Sequence, residues 1–204
     1  MRIGIVNNAL GNVESVRSAF AFYNYDVFLA ETPDMLDAAD VAVLAGVGTF
    51  RAGVMALRER GFWERLDRWV CSEGRPLLGI CLGMQLFARR GHEGGRFEGF
   101  GWISGDVLPL EGQRIPHMGW TEVSSCAPDG DTLLQGVRYG HFYFMHGFHF
   151  VPEDSSVVVA KAFFEGKSFV AAVKKGSLVG VQFHPEKSQG DGLRVLRNLM
   201  EAWR

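Results

Sequence analysis

The sequence predicts an α/β fold: a mostly parallel central sheet flanked by helices, with an antiparallel extension in the second half. Three observations carry this. Short apolar runs without polar alternation recur at 3–6, 27–29, 41–44 and 76–80, as expected of strands covered on both faces. Residues with helical apolar spacing stand between several of them. Beyond residue 120 the apolar runs are parted by glycine turns, the mark of antiparallel hairpins.

Residues 3–6 read as a buried strand ending in Asn7-Asn8, and Asn12 is the expected N-cap of a helix carrying Val13, Val16, Ala19 and Phe20. The second and third strands follow at 27–29 and 41–44, the third running into Ala45-Gly46-Val47-Gly48. Phe62, Trp63, Leu66, Trp69 and Val70 share one face of an amphipathic helix. The fourth strand, 76–80, leads to Cys81, and residues 84–88 turn helical behind it. The first ninety residues thus read β-α-β-β-α-β-α, with right-handed crossovers. From 91 to 119 glycine is frequent and periodicity weak. Strands are expected at 120–123, 141–148, 157–163, 169–173 and 178–183, with turns at Glu165-Gly166-Lys167 and Lys175-Gly176. Leu193, Leu196, Leu199, Met200 and Trp203 mark a closing amphipathic helix. No repeat, linker or low-complexity tract interrupts, so residues 1–204 are expected to form one domain.

Composition narrows the classes of function. With 47% hydrophobic and 22% charged residues the chain has the material for a full core. The net charge of −2 comes from 21 basic and 23 acidic residues. No basic run exceeds two residues, which argues against nucleic acid or an anionic membrane as partner. No apolar run reaches membrane-spanning length, and the N-terminal one is too short for a signal-peptide core. The three cysteines, Cys71, Cys81 and Cys126, make neither a CxxC pair nor an even disulfide set, so a cytoplasmic setting is expected.

Cys81 stands in Gly79-Ile80-Cys81-Leu82-Gly83, the spacing of a nucleophile elbow with sulfur in place of hydroxyl. A strand would deliver the thiol to the carboxyl edge of the sheet, and flanking glycines would permit a strained turn and close substrate approach. The following helix would favour the thiolate, and the Leu82 N–H would face an oxyanion. Spacing alone also suits a structural cysteine beside a glycine bend. Of six histidines, His184 is singled out by Phe183-His184-Pro185-Glu186 at a strand end. If the segment is extended, Glu186 projects beside His184, where a carboxylate fixes the imidazole tautomer. A surface turn with a chance His and Glu is the competing reading. His141, His146 and His149 alternate faces in an extended strand, which argues against a three-histidine metal site; the even-numbered Phe142, Phe144, Phe148 and Phe150 read as a core stripe. His92, in a glycine-rich loop, is expected to be solvated.

Gly79–Gln85 taken with His184-Pro185-Glu186 resembles the class I glutamine amidotransferases. Within them the chain is similar to the glutaminase-subunit family of imidazole glycerol phosphate synthases. Gly46-Val47-Gly48-Thr49-Phe50, Pro116-His117-Met118-Gly119-Trp120 and Phe142-Tyr143-Phe144-Met145-His146 support this, over nearly the whole chain. The resemblance implies a catalytic triad of Cys81, His184 and Glu186 and an oxyanion loop at Gly46, Val47 and Gly48. It implies that Gln85, with the backbone around Gly147 and Phe148, holds L-glutamine. It also implies that the chain requires no cofactor or metal. The implied partner is a (β/α)8 barrel cyclase subunit that takes the ammonia in a heterodimer, with Met118, Trp120, Tyr143 and Lys187 near the interface. The chain has no phosphate-binding glycine-lysine loop and no second synthase-sized domain of its own, which fits that division of labour.

Ala45 stands where the family usually has proline, Gly147 where Ser or Thr is usual, and Asn7-Asn8-Ala9 replaces an acidic-aromatic opening. Three alternatives stay open on sequence. One is a paralogous amidotransferase feeding an amidating enzyme of surface-sugar synthesis. Another is a chaperone-like or protease-like cysteine α/β protein. The last is a non-catalytic regulatory subunit.

Overall fold

A computed structural model describes residues 1–11, 13–127 and 130–204; the expected cap Asn12 lies outside them. Its main sheet has nine strands in the order β2-β1-β3-β4-β13-β12-β11-β8-β9. Four of these, β1 (Arg2–Val6), β2 (Asp26–Ala30), β3 (Val41–Gly46) and β4 (Leu77–Cys81), pair in parallel with one another. Next to β4 lies β13 (Leu178–Val181), also parallel. From there the sheet turns antiparallel through β12 (Lys167–Lys175), β11 (Val158–Phe164), β8 (His117–Ser125) and β9 (His141–His146). A parallel half and an antiparallel extension are therefore both present.

The apolar runs are unalternating because both faces of the parallel half are covered. Val41, Val43, Leu78, Ile80, Val179 and Val181 face one core, packed against α1 (Val13–Ala21) and α5 (Gln189–Ala202). Ala42, Leu44, Leu77 and Leu178 face the other. That second core is closed by α2 (Phe50–Glu59), α3 (Phe62–Asp67) and the short α4 (Leu82–Gln85).

Several expectations need correction. A whole helix, α2, follows β3; it is started by Thr49, whose hydroxyl accepts the Ala52 N–H. The expected helix from Phe62 to Val70 changes after Asp67 to a wider π turn at Arg68–Ser72. A 3-10 turn at Pro33–Ala38 joins β2 to β3. The glycine-rich stretch holds short strands, β5 (Arg90–Gly91), β6 (Phe97–Glu98) and β7 (Gly105–Pro109). The expected strand at 141–148 is two strands: after Gly147 the chain leaves the main sheet and β10 (Phe148–Pro152) pairs with β7 in a four-stranded sheet, order β10-β7-β5-β6. Phe142, Phe144 and Phe150 are buried as expected, while Phe148, at the break, is only half-buried. His92 is not free in solvent: its Nε2 lies 3.0 Å from Asp106.

Candidate active site

The parallel register brings the predicted residues together. Gly46 at the end of β3 pairs with Cys81 at the end of β4, and Val181 of β13 pairs with Ile80. Residues 182–184 therefore emerge beside Cys81, at the carboxyl edge where α/β sheets build their sites.

The strain of the elbow sits on Cys81 itself, with φ 54 and ψ −108, a backbone region that costs a non-glycine residue free energy and persists where its surroundings impose it. The flanking glycines serve packing rather than substrate approach. A Cβ on Gly83 would fall 1.8 Å from the Leu44 carbonyl oxygen, and one on Gly79 2.4 Å from the Phe87 ring. The helix behind Cys81 is a single turn, too short for the dipole the sequence suggested. Cys81 is 5% exposed, and its Sγ lies 3.9 Å from the Met145 carbonyl.

His184 Nδ1 lies 2.9 Å from Glu186 Oε1, with the two side chains only 3% and 5% exposed. They do not meet along an extended strand. His184 is extended (φ −100, ψ 93), but Pro185–Lys187 is a 3-10 turn that swings the carboxylate back onto the ring. The His184 N–H is tied to the Tyr143 carbonyl at 2.8 Å. Ser188 closes the turn, accepting the Tyr143 N–H and donating to the His184 carbonyl. Burial favours an uncharged ring, but hydrogen bonding and charge from Cys81 and Glu186 outweigh it and push His184 up to about 10. His184 Nε2 is buried with no other hydrogen-bond partner among the described residues, which leaves it to the sulfur. Catalytic contacts are often long before substrate binds.

At the mouth of this cluster Gly46 is buried, Val47 half-buried and Gly48 exposed with φ +111. Asn8, itself buried, donates to the Ala45 carbonyl at 3.0 Å and accepts the Leu10 N–H. The unexplained Asn7-Asn8 opening thus anchors the loop at the position where a proline would have stiffened it. Beyond the loop, Glu93 accepts the Phe50 N–H at 2.8 Å. Leu82 is the first residue of α4, so its N–H is one of the donors that a helix start leaves unpaired. Gln85 is buried and donates Nε2 to the Phe148 carbonyl at 2.8 Å, while the Gly147 carbonyl accepts from Leu110.

A family model described as "Glutamine amidotransferase class-I" matches residues 3–202. A Campylobacter jejuni protein named "Imidazole glycerol phosphate synthase subunit HisH 1" is 43% identical over 200 residues, 96% of this chain and 98% of its own. A Geobacillus protein named "Imidazole glycerol phosphate synthase subunit HisH" is 40% identical over 206 residues, 96% of this chain and 94% of its own. The chain is a class I glutamine amidotransferase. Its fold is shared with solved structures of low identity. One is described as a glutamine amidotransferase (TM-score 0.77, 18% identity, 98% of each chain). Another is PurLQS from Thermotoga maritima (TM-score 0.77, 19% identity, 100% of this chain and 99% of that one).

In this amidotransferase the four expected interface residues form one patch. Trp120 and Tyr143 are cross-strand partners with ring centroids 6.1 Å apart, and the Lys187 ammonium lies 5.7 Å from the Tyr143 ring. Met118 and Trp120 are 60% and 47% exposed. A cleft of about 550 Å³ adjoins the patch, lined by Trp120, Arg138, Tyr139, His141 and Arg194, with Ser188 at its inner end.

Two arrangements were not foreseen. Gln182, wholly buried, donates Nε2 to Cys81 Sγ at 3.5 Å; the residue sits in the Val181–Glu186 stretch, but no spacing rule marks it. His117 Nδ1 and His146 Nε2 lie 3.1 Å apart, with His117 Nε2 2.8 Å from the Thr121 hydroxyl and His146 Nδ1 2.9 Å from the Phe148 carbonyl. Burial pushes His146 down to about 3 and lowers His117 as well. Both rings are neutral and structural. Among the described residues no group of three or more His, Cys, Asp or Glu side chains is gathered as a metal ion would need.

Proposed function

We propose that this chain is the glutaminase subunit of an imidazole glycerol phosphate synthase, releasing ammonia from L-glutamine for a (β/α)8 cyclase subunit in histidine biosynthesis. The observation that carries the reading is the Cys81, His184 and Glu186 cluster, in which Glu186 and the sulfur favour the imidazolium that forms when His184 takes the thiol proton. The names of relatives that match almost end to end support the pathway. Residues 1–204 act as one amidotransferase domain, in the cytoplasm; no helix among the described residues is long and apolar enough to cross a membrane.

Cys81 attacks the side-chain carbonyl of glutamine. His184 gives the thiol-derived proton to the departing ammonia, then takes one from the water that hydrolyses the thioester. Glu186 holds the imidazolium. The Leu82 N–H and an N–H of the Gly46–Gly48 loop receive the oxyanion, and Gln85, Gly147 and Phe148 frame the substrate. With Cys81 this covered, glutamine reaches the sulfur only when an adjacent loop yields. Gly48 is exposed, at a φ glycine adopts without cost, with no atom of the described residues within 4 Å of where a Cβ would sit. Docking of the barrel on Met118, Trp120, Tyr143 and Lys187 shifts this loop toward its oxyanion-binding state.

The test is glutamate release by the purified chain, alone and with a cyclase barrel. Wild type should be slow alone and accelerate at least tenfold with the barrel, and Cys81→Ala should be inactive in both. Full activity in Cys81→Ala removes the mechanism. Activity indifferent to the barrel leaves the glutaminase chemistry and removes the histidine-pathway assignment.

A further inference from the structure

The Phe148 carbonyl fixes the orientation of Gln85 and, through it, that of Gln182. Its carbonyl can only accept, and two side chains reach it: Gln85 Nε2 at 2.8 Å and His146 Nδ1 at 2.9 Å. Gln85 therefore turns its NH2 group toward Phe148. The same nitrogen lies 3.1 Å from a side-chain atom of Gln182. With one hydrogen on Phe148, the second goes to Gln182, whose facing atom must be the oxygen. The other end of that amide is then the NH2 group, and it lies 3.5 Å from Cys81 Sγ. A flipped Gln182 would set two NH2 groups against each other and its oxygen against the sulfur.

We propose that Gln182 is a further catalytic group of this amidotransferase, a fixed hydrogen-bond donor to the sulfur of Cys81. The inference deepens the glutaminase reading and rests on it. A donor aimed at sulfur stabilises the thiolate more than the thiol, because a hydrogen bond to a charged acceptor is the stronger one. Gln182 is 0% exposed, so water does not compete for the contact and the low local dielectric strengthens it. The donor acts twice in the cycle. It favours transfer of the thiol proton to His184 before attack. It stabilises the sulfur again when the tetrahedral intermediate formed by water collapses, the carbon–sulfur bond breaks and the electron pair returns to Cys81. This donor replaces the missing helix: α4 is one turn long, and polarisation of the sulfur falls to a side chain from the neighbouring strand end.

The amide is oriented by Gln85, which also lies beside the backbone expected to hold glutamine. Substrate binding at Gly147 and Phe148 and the electrostatics of the sulfur thus share one hydrogen-bonded line.

The experiment is the pH dependence of Cys81 alkylation by iodoacetamide, which needs neither glutamine nor partner. The exposed Cys71 and Cys126 are first changed to serine, and the protein is used both as the full chain and with a cyclase barrel. Gln182→Met keeps the volume and removes the donor. Gln182→Glu keeps the shape and sets a carboxylate against the sulfur. The alkylation midpoint should rise by about one pH unit in Gln182→Met and further in Gln182→Glu, so the rate at neutral pH falls about tenfold or more. Glutamine turnover should fall in kcat with little change in KM. An unshifted midpoint in a folded Gln182→Met or Gln182→Glu variant overturns the proposal. If Gln182→Met does not fold, Gln182→Glu decides alone. A wild-type chain that alkylates normally but never releases glutamate sinks the glutaminase reading instead, and leaves the sulfur contact standing.

Discussion

Gly83 has no room for even one more carbon. The Leu44 carbonyl of β3 lies against it, and relief would require moving either the sheet or the turn that carries Cys81. Gly83→Ala is expected to destabilise the chain by about 3 kcal/mol, the upper range for overpacking, read as a lower urea midpoint. Gly48→Ala meets no atom of the described residues and strains the backbone at φ +111, so its effect should appear as slower glutamate release with a smaller stability loss. At the same scale the histidines set the pH response. Folded His184 holds its proton up to about 10 against an ordinary 6.5. Between those values the folded chain binds a proton that the unfolded chain has lost. The stability this contributes is full below pH 6.5 and is lost as pH rises through about 10. Cys81→Ala removes one partner that raises the value, so its alkaline decline should begin at lower pH, seen in urea midpoints between pH 7 and pH 10.5. His146 has the opposite sign. Held at about 3, it is neutral when folded while the unfolded ring protonates near 6.5, so stability is full above that and falls as pH drops toward 3. Imidazole nitrogen shifts at pH 5 should show His146 uncharged.

Elements fix what individual side chains cannot. The 3-10 turn at Pro185–Lys187 is clamped from both sides: Ser188 bridges it to β9, and Asp191 in the first turn of α5 accepts the backbone N–H groups of Arg138, Tyr139 and Gly140 at 2.8 to 2.9 Å. Asp191 is buried, so its three bonds have little competition from water. Asp191→Ala should cost about 2–3 kcal/mol in urea unfolding and loosen the segment that leads into Tyr143, with glutamate release falling alongside. The parallel strands and α5 were legible because their apolar pattern follows directly from burial. Three features were not. Helix α2 exposes Arg51, Arg58 and Glu59 and buries only a narrow apolar stripe, Phe50, Val54 and Leu57, whose burial depends on the second core. The break after Gly147 is decided by β7, more than thirty residues earlier, which offers Phe148–Pro152 an edge to pair with. The His184–Glu186 contact is made through a 3-10 turn and not along an extended segment, because side-chain parity holds only while the chain stays extended.

On the scale of the molecule, the patch and the triad are joined by short covalent and hydrogen-bonded paths. Tyr143 lies in the patch, its carbonyl holds the His184 N–H, and its own N–H is held by Ser188. A partner that presses on Tyr143 therefore acts on the backbone of His184, the general base proposed above. The exposed Met118 and Trp120 give the patch an apolar centre, and Lys187 and Arg138 a basic rim. Aromatic anchors of this kind carry most of the energy in interfaces. Trp120→Ala should weaken cyclase binding at least tenfold by titration calorimetry, and a Ser188→Ala change should reduce the activation that the barrel produces more than it reduces binding.

By itself, the sequence determined the kind of sheet and marked Cys81, His184 and Glu186 as candidates for one site, because buried strands and reactive side chains leave local signatures in composition and spacing. Only the tertiary structure decided that Gln182 faces the sulfur, that Asn8 anchors the Gly46–Gly48 loop and that Gly83 is required by a carbonyl of another strand. Each of these depends on which strand ends lie side by side. That adjacency is set by long-range pairing in the sheet, which no local pattern of residues encodes.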